Sequence, residues 1–276
     1  MKVAVTFVNL FFLAGAILLL LFTVLSGSSK HSPLDKFYWL EADTTNIRNA
    51  PANRSAWTFW GVCDKEDYSN CLLGPAYPIS PVDNFDTTEN IPDFFINNEA
   101  TFYYLSRFAF AFCLIALAFA GLAFIIYLFG FCFSVVDKVT ILLVTVALFF
   151  MAGFASFQTA VTVLAKNAFG QEDRYAHIGA KSMGMMWAAF VCLLICWVLT
   201  FWANIVNSYN KHLDRVREKK AGAGGADSNQ KNGVARDDSS FTRAHPKQDH
   251  IADNSDTGGI RFFKIKRNKV SDDESA

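Results

Sequence analysis

The chain has 276 residues, 52% hydrophobic and 15% aromatic with 28 phenylalanines, and its 25 Lys and Arg balance 25 Asp and Glu to a formal net charge of +0. A neutral, phenylalanine-rich chain lacks the basic excess of a nucleic-acid-binding protein, so no nucleic-acid partner is expected. Its apolar residues gather in four long runs without ionisable side chains, 3–25, 108–136, 139–165 and 183–206, which excludes an ordinary water-soluble domain.

Each run reaches or exceeds the roughly 20 residues that cross a hydrocarbon core of about 30 Å, so the sequence predicts four spanning helices. The first, Val3 to Leu25, follows Lys2 and precedes Ser26-Gly27-Ser28-Ser29, a pattern that a cleaved signal peptide shares. Its length exceeds a signal h-region of about 7 to 15 residues and favours a retained helix.

The loop 26–107 is polar and acidic but carries aromatic runs, Phe37-Tyr38-Trp39-Leu40 and Ala56-Trp57-Thr58-Phe59-Trp60-Gly61-Val62-Cys63, bounded by Pro33, Asn49-Ala50-Pro51 and Gly74-Pro75. Aromatic and β-branched runs between turn residues predict short strands. In Trp57-Thr58-Phe59-Trp60 the aromatics do not alternate cleanly, so both faces of such a strand are expected to be covered, one by the membrane surface. A small sheet is marginal alone, and a bridge between Cys63 and Cys71 would contribute on the order of 2 to 3 kcal/mol. Asn53-Arg54-Ser55 is an N-glycosylation acceptor, a motif that also arises by chance.

Lys211, Arg215, Arg217, Lys219 and Lys220 follow the fourth span, and the positive-inside bias places them in the cytoplasm. With four spans the N-terminus is cytoplasmic too, and the loops 26–107 and 166–182 face outside. That side permits the Cys63–Cys71 disulfide.

Asp137 and Lys138 alone separate the second and third runs, which predicts a tight helical hairpin. Asn9, Gln158 and Asn204 are the strongest polar side chains in the spans and are expected to make interhelical hydrogen bonds. Small residues recur every fourth position at Ala116 and Ala120, at Ala152, Ser156 and Ala160, and at Ala180, Gly184 and Ala188. Such stripes let helices approach closely, within the bundle or between copies in a homo-oligomer. Trp187 and Trp202, near opposite ends of the fourth span, fit interfacial belts. Cys113, Cys192 and Cys196 read as small hydrophobes, and Cys132 near the inner membrane surface is a palmitoylation candidate.

The tail, 207–276, is glycine-rich from Ala221 and too polar to bury a core, so disorder is expected there. Arg261, Lys264, Lys266, Arg267 and Lys269, interleaved with Phe262, Phe263 and Ile265, form a second basic cluster. With the juxtamembrane cluster it is expected to bind anionic inner-leaflet lipid at both ends of the tail. Ser271, followed by Asp272-Asp273-Glu274, matches an acidic-directed kinase site, where phosphate would loosen that contact. No histidine has metal-ligand spacing, and no serine, histidine and carboxylate set accompanies the spans. No enzyme activity and no cofactor are expected.

Trp39, then Trp57-x-x-Trp60-Gly61-x-Cys63 with Cys71 downstream and Arg107 at the outer mouth of the second span, resembles the claudin-like superfamily, though not with a true claudin's spacing. The chain is more similar to the fungal SUR-seven family of eisosome-associated plasma-membrane proteins, with its PalI-like relatives. Leu25-Ser-Gly-Ser, Phe37-Tyr-Trp-Leu-Glu-Ala-Asp, Asn49-Ala-Pro, Trp57-Thr-Phe-Trp-Gly-Val-Cys, Pro75-Ala-Tyr-Pro-Ile-Ser-Pro-Val-Asp-Asn-Phe, Tyr103-Tyr-Leu-Ser-Arg-Phe, Ala165-Lys-Asn-Ala-Phe and Met183-Gly-Met carry that likeness over residues 1–206. It implies a protein of static cortical patches, associated with membrane and sphingolipid organisation, cell-wall integrity, endocytosis and, for some members, sporulation. Eisosome or cortical proteins are the partners it implies.

The expected fold class is an all-α membrane protein, a four-helix transmembrane bundle with a small β-containing first outer loop and a disordered cytoplasmic tail. The expected role is structural organisation of a plasma-membrane domain. A PalI-like sensor of ambient pH or wall stress is the alternative, and a small-solute transporter is a further one that lacks an ionisable or broken helix.

Overall fold

The computed structural model describes residues 2–29, 34–66, 68, 70–129 and 134–225. In chain order they form Lys2–Val24 (α1), Leu40–Asp43 (β1), Arg54–Trp57 (β2), Gly61–Asp64 (β3), Cys71–Leu73 (β4), Pro81–Phe85 (α2), Asp93–Asn97 (α3), Glu99–Phe129 (α4), Ser134–Gly170 (α5), Ala176–Ile178 (β5) and Ala180–Gly225 (α6). The helices α1, α4, α5 and α6 are long and apolar enough to cross a membrane.

Two of them pack through small residues. Along α4 the buried positions include Ala109, Cys113, Ala116, Ala120 and Ala123, and along α5 they include Val144, Ala147, Met151 and Phe154. Steps of three and four put each set on one face, and the short side chains bring the backbones close, as lipid-embedded helices require. Phe112 fills the wider part of the seam, with its ring centroid 5.1 Å from Phe150 and 5.2 Å from Phe157. Helix α1 turns Leu13, Ala16 and Leu20 inward and leaves Phe7, Phe11 and Leu18 exposed to lipid.

The loops build one antiparallel five-stranded sheet, in the order β4-β3-β2-β1-β5. Leu40 pairs with both Trp57 and Ile178, so the second outer loop supplies an edge strand to the sheet of the first. Nothing in the sequence of 166–182 marks this strand, since Ala176-His177-Ile178 is too short to show a pattern.

Three expectations need correction. The run Ala56–Cys63 is a hairpin, with β2 ending at Trp57 and β3 starting at Gly61. Thr58 makes the turn, its hydroxyl accepting from the Trp60 amide at 3.2 Å and donating to the Gly61 carbonyl at 3.0 Å. The missing alternation in Trp57-Thr58-Phe59-Trp60 is therefore a turn. In the first run only Leu40 belongs to β1, which continues to Asp43. Gln158 bonds within its own helix, to the Thr162 hydroxyl, whereas Asn9 does reach across, from α1 to the Thr200 hydroxyl of α6 at 3.2 Å, and Asn204 donates to the Thr200 carbonyl at 3.0 Å.

The helix ends also differ from the apolar runs. Asp137 and Lys138 lie inside the first turns of α5 rather than between helices. Helix α6 passes Val206 and continues to Gly225; 207–220 contains no proline or glycine and is rich in Lys and Arg, which favour helix. The disorder expected for the tail beyond Gly225 lies outside the described residues, as does Cys132.

Candidate functional site

The aromatic signature residues hold the sheet to the bundle. Trp39, fully buried, packs on Phe59 at 4.9 Å and on Phe154 of α5 at 6.1 Å. Trp57, also fully buried, packs on Phe85 and on Phe169 of α5, each at 6.1 Å, and its indole N–H donates to Asn84 Oδ1 at 2.7 Å. Phe154 and Phe169 are about 22 Å apart along the helix axis, so two anchors fix the sheet against α5 at separate levels. Burying side chains of this size contributes about 2 to 3 kcal/mol apiece, enough to order short strands that are marginal alone.

Trp60 makes the third attachment. From the hairpin turn its indole N–H donates to the Val24 carbonyl at 2.7 Å, and its ring meets Phe110 of α4 edge-on at 5.9 Å. Val24 ends α1, where the last carbonyls have no partner within the helix, so the indole satisfies one that would otherwise face a half-apolar environment.

A clasp closes the hairpin at the far edge. Cys63 of β3 and Cys71 of β4 are opposite partners in the ladder, with Cα atoms 4.1 Å apart, and form a disulfide. Two rungs away Gly61 faces Leu73, and a Cβ at Gly61 would collide with the Leu72 carbonyl oxygen. Only glycine lets β4 approach there. At the other edge Gly179 joins β5 to α6, its amide donating to the Trp39 carbonyl at 2.9 Å, and a Cβ would run into the Tyr38 carbonyl.

The sheet's other face is polar and aromatic. Glu41, almost fully buried, pairs with Arg54 at 2.7 Å, and the Arg54 guanidinium lies 4.6 Å from the Tyr175 ring centroid. Lys65 stands over the Tyr38 ring at 4.5 Å. Burial, together with the Glu41 carboxylate that its hydroxyl faces, pushes the Tyr38 phenol up to about 12. Asp43 accepts from the Thr45 amide at 2.8 Å, and hydrogen bonds from Thr45, then the nearby Arg174 and Arg54, hold its carboxyl below the usual range. A buried carboxylate supplied with a phenol and a guanidinium locks β1 to β2 and β5.

Arg107 stands apart from the sheet, exposed on α4 with its guanidinium 4.3 Å over Tyr103, one turn earlier. Asn53 is exposed just before β2, while Ser55 of its sequon is buried and hydrogen-bonded to the Thr44 hydroxyl at 2.7 Å. Among the described residues no group of three or more His, Cys, Asp and Glu is placed to hold a metal ion.

Four apolar helices under a clasped sheet, with this aromatic set, are matched by known proteins. The model of the SUR7/PalI family matches residues 5–199. The chain belongs to that family. It is 71% identical over 276 residues to Protein SUR7 of Candida albicans (strain SC5314 / ATCC MYA-2876), covering 100% of both chains. It is 42% identical over 224 residues to Protein SUR7 of Saccharomyces cerevisiae, covering 78% of this chain and 74% of that one. A further S. cerevisiae relative, described as an uncharacterized plasma membrane protein, is 35% identical over 204 residues, 70% of this chain and 66% of its own. Like them in sequence and built of four apolar helices, this SUR7/PalI family member is a multi-pass membrane protein.

The structure brings Trp39, Trp57, Trp60, Gly61, Cys63 and Cys71 into one module and leaves Arg107 and Asn53 at its margins. Lys211, Arg215 and Arg217 are exposed on the end of α6. The side chains of Lys219 and Lys220 lie outside the described residues, as do Arg261, Lys264, Lys266, Arg267, Lys269 and Ser271. Sequence reading missed Val24, Asn84, Glu41, Arg54, Tyr175 and Gly179. Glu41 and Asn84 lie within the family-like segments and Arg54 within the sequon, but their partners are distant along the chain, so no local pattern assigns these contacts.

Proposed function

We propose that this SUR7/PalI family member is a non-enzymatic organiser of static plasma-membrane domains, the furrow-like eisosome compartment, with both termini cytoplasmic. Its effects would reach membrane and sphingolipid organisation, cell-wall integrity, endocytosis and sporulation. The observation that carries this reading is the triple attachment of the outer sheet to the bundle through Trp39, Trp57 and Trp60, which makes sheet and helices one stiff body. A stiff transmembrane body suits lateral packing better than a cycle of opening and closing. The stripe Ala180, Gly184 and Ala188 is exposed on α6 and offers a contact between copies. The basic end of α6, with the basic cluster of the tail, would engage anionic inner-leaflet lipid, and eisosome or cortical proteins are the expected cytoplasmic partners. Asn53, exposed, is the expected glycan site.

Imaging of a fluorescently tagged copy tests the reading. Fixed cortical patches are expected, and a diffuse mobile signal would overturn it.

A sensor role has one observation in its favour. Gly179 alone separates β5 from α6, and α6 is a single helix from the sheet to Gly225. Displacement of the sheet by wall stress or protonation would be transmitted along that helix. This role requires a signalling partner on the tail, recoverable by crosslinking in cells at acid and neutral pH.

A further inference from the structure

An open cleft of about 560 Å³ lies where α1 leaves the membrane, lined among others by Leu25, Ser28, Trp60, Leu73 and Pro75. Its size falls within the range of small-molecule sites, about 300 to 1,000 Å³. Its depth in the membrane is set by its neighbours. The apolar span of α1 ends at Val24, whose carbonyl holds the Trp60 indole, and indoles favour the membrane–water interface.

The cleft continues a lipid-facing stripe. Leu18 and Leu21, 54% and 41% exposed, lie on one face of α1, and Leu25, 42% exposed, follows just past its end with its amide donating to the Leu21 carbonyl at 2.9 Å, so the stripe leads into the cleft. On its far wall Leu73 is 68% exposed at the end of edge strand β4. No aqueous function calls for a large apolar side chain there, whereas one next to hydrocarbon removes surface from water. The polar side-chain groups between them are already engaged: the Ser28 hydroxyl donates to the Leu25 carbonyl and the Trp60 indole to the Val24 carbonyl, each at 2.7 Å.

We propose that this cleft holds one acyl chain of a lipid from the leaflet on the sheet side of the membrane. The chain would follow Leu21 and Leu25 upward and end between Trp60 and Leu73. A flexible chain suits an open, largely apolar cleft that continues the lipid-facing stripe of α1, and the lipid's head group would stay in the interface. The inference uses the membrane topology alone and stands whether or not the protein organises patches.

The test uses the full chain in nanodiscs of phosphatidylcholine doped with a phosphatidylcholine carrying a diazirine on one acyl chain. After irradiation, labelled peptides are mapped by mass spectrometry, with exposed Phe11 on the lipid-facing side of α1 as the bulk-lipid reference. Labelling around Leu25, Trp60 and Leu73 is expected to saturate as the probe fraction rises, while labelling at Phe11 rises in proportion. Ser28→Trp, which fills the cleft, and Leu73→Asp, which makes its wall polar, should each lower cleft labelling to the Phe11 level or below. Both positions are exposed, and retention of the Cys63–Cys71 disulfide in each variant reports that the module has folded. Loss of saturable labelling in either variant supports the site. Unsaturable labelling, persistence in both variants, or labelling there by a diazirine sterol alone would overturn it.

Discussion

The indole of Trp60 donates to the carbonyl of Val24 at 2.7 Å, tying the β2–β3 turn to the last residue of the first spanning helix. A side chain in the outer module thereby finishes a helix of the membrane domain, and neither part is complete alone. Trp60→Phe keeps most of the ring contact with Phe110 and deletes only the donor. The half-buried carbonyl then lacks its partner, which costs about 1 kcal/mol. Thermal unfolding in detergent should show a small loss for Trp60→Phe and a much larger one for Trp60→Ala, which also removes the packing.

The disulfide closes a short loop at the free edge of the sheet. Replacing Cys63 or Cys71 by Ser should cost about 2 to 3 kcal/mol, because the unfolded chain regains the freedom that the bridge removed. Each single substitution also leaves an unpaired thiol opposite the new serine, so the double substitution is the cleaner variant. Reduced delivery to the cell surface is expected for all three, read by surface biotinylation. Normal surface levels would show that the aromatic anchors suffice without the clasp.

Gly61 sits at a φ of +158°, where side-chain-bearing residues are rare, and it also lacks room. A Cβ there meets the Leu72 carbonyl oxygen, a backbone atom that cannot rotate away. Gly61→Ala should therefore push β4 outward, strain the Cys63–Cys71 pairing two rungs further on, and cost about 2 to 3 kcal/mol. Faster reduction of the disulfide by a mild thiol, relative to the unsubstituted protein, would report the displacement directly.

Much of this architecture is legible in the sequence because the bilayer imposes long, charge-free runs, and because Trp57, Trp60, Gly61, Cys63 and Cys71 lie close together along the chain. Two properties blurred the rest. Helix ends follow backbone propensity as well as hydropathy, so α6 continues through Asn207 to Gly225 after its apolar run stops. Strand partners far apart in sequence leave no local trace, and β5, only three residues long, owes its conformation to Glu41 and its neighbours in β1. The split of the Ala56–Cys63 run was in principle readable, since the aromatic alternation breaks at Thr58, the residue that makes the turn.

The polar face of the sheet should make the outer module sensitive to alkali. An isolated tyrosine ionises near pH 10, whereas the Tyr38 phenol, half-buried and facing the Glu41 carboxylate, does so only at about 12. The folded state thus retains a proton that the unfolded chain releases first. Stability from this group is fully present below about pH 10 and is lost as pH rises through about 12. Tyr38→Phe removes the titration and also one hydrogen bond to Glu41, so it should begin less stable and decline less steeply above pH 10. Denaturant midpoints of both proteins, measured across that window in the same detergent, should converge as the pH rises. Parallel curves would show that another group governs the alkaline loss. The pairing of Glu41 with Arg54 at 2.7 Å should persist in Tyr38→Phe, since it does not involve the phenol.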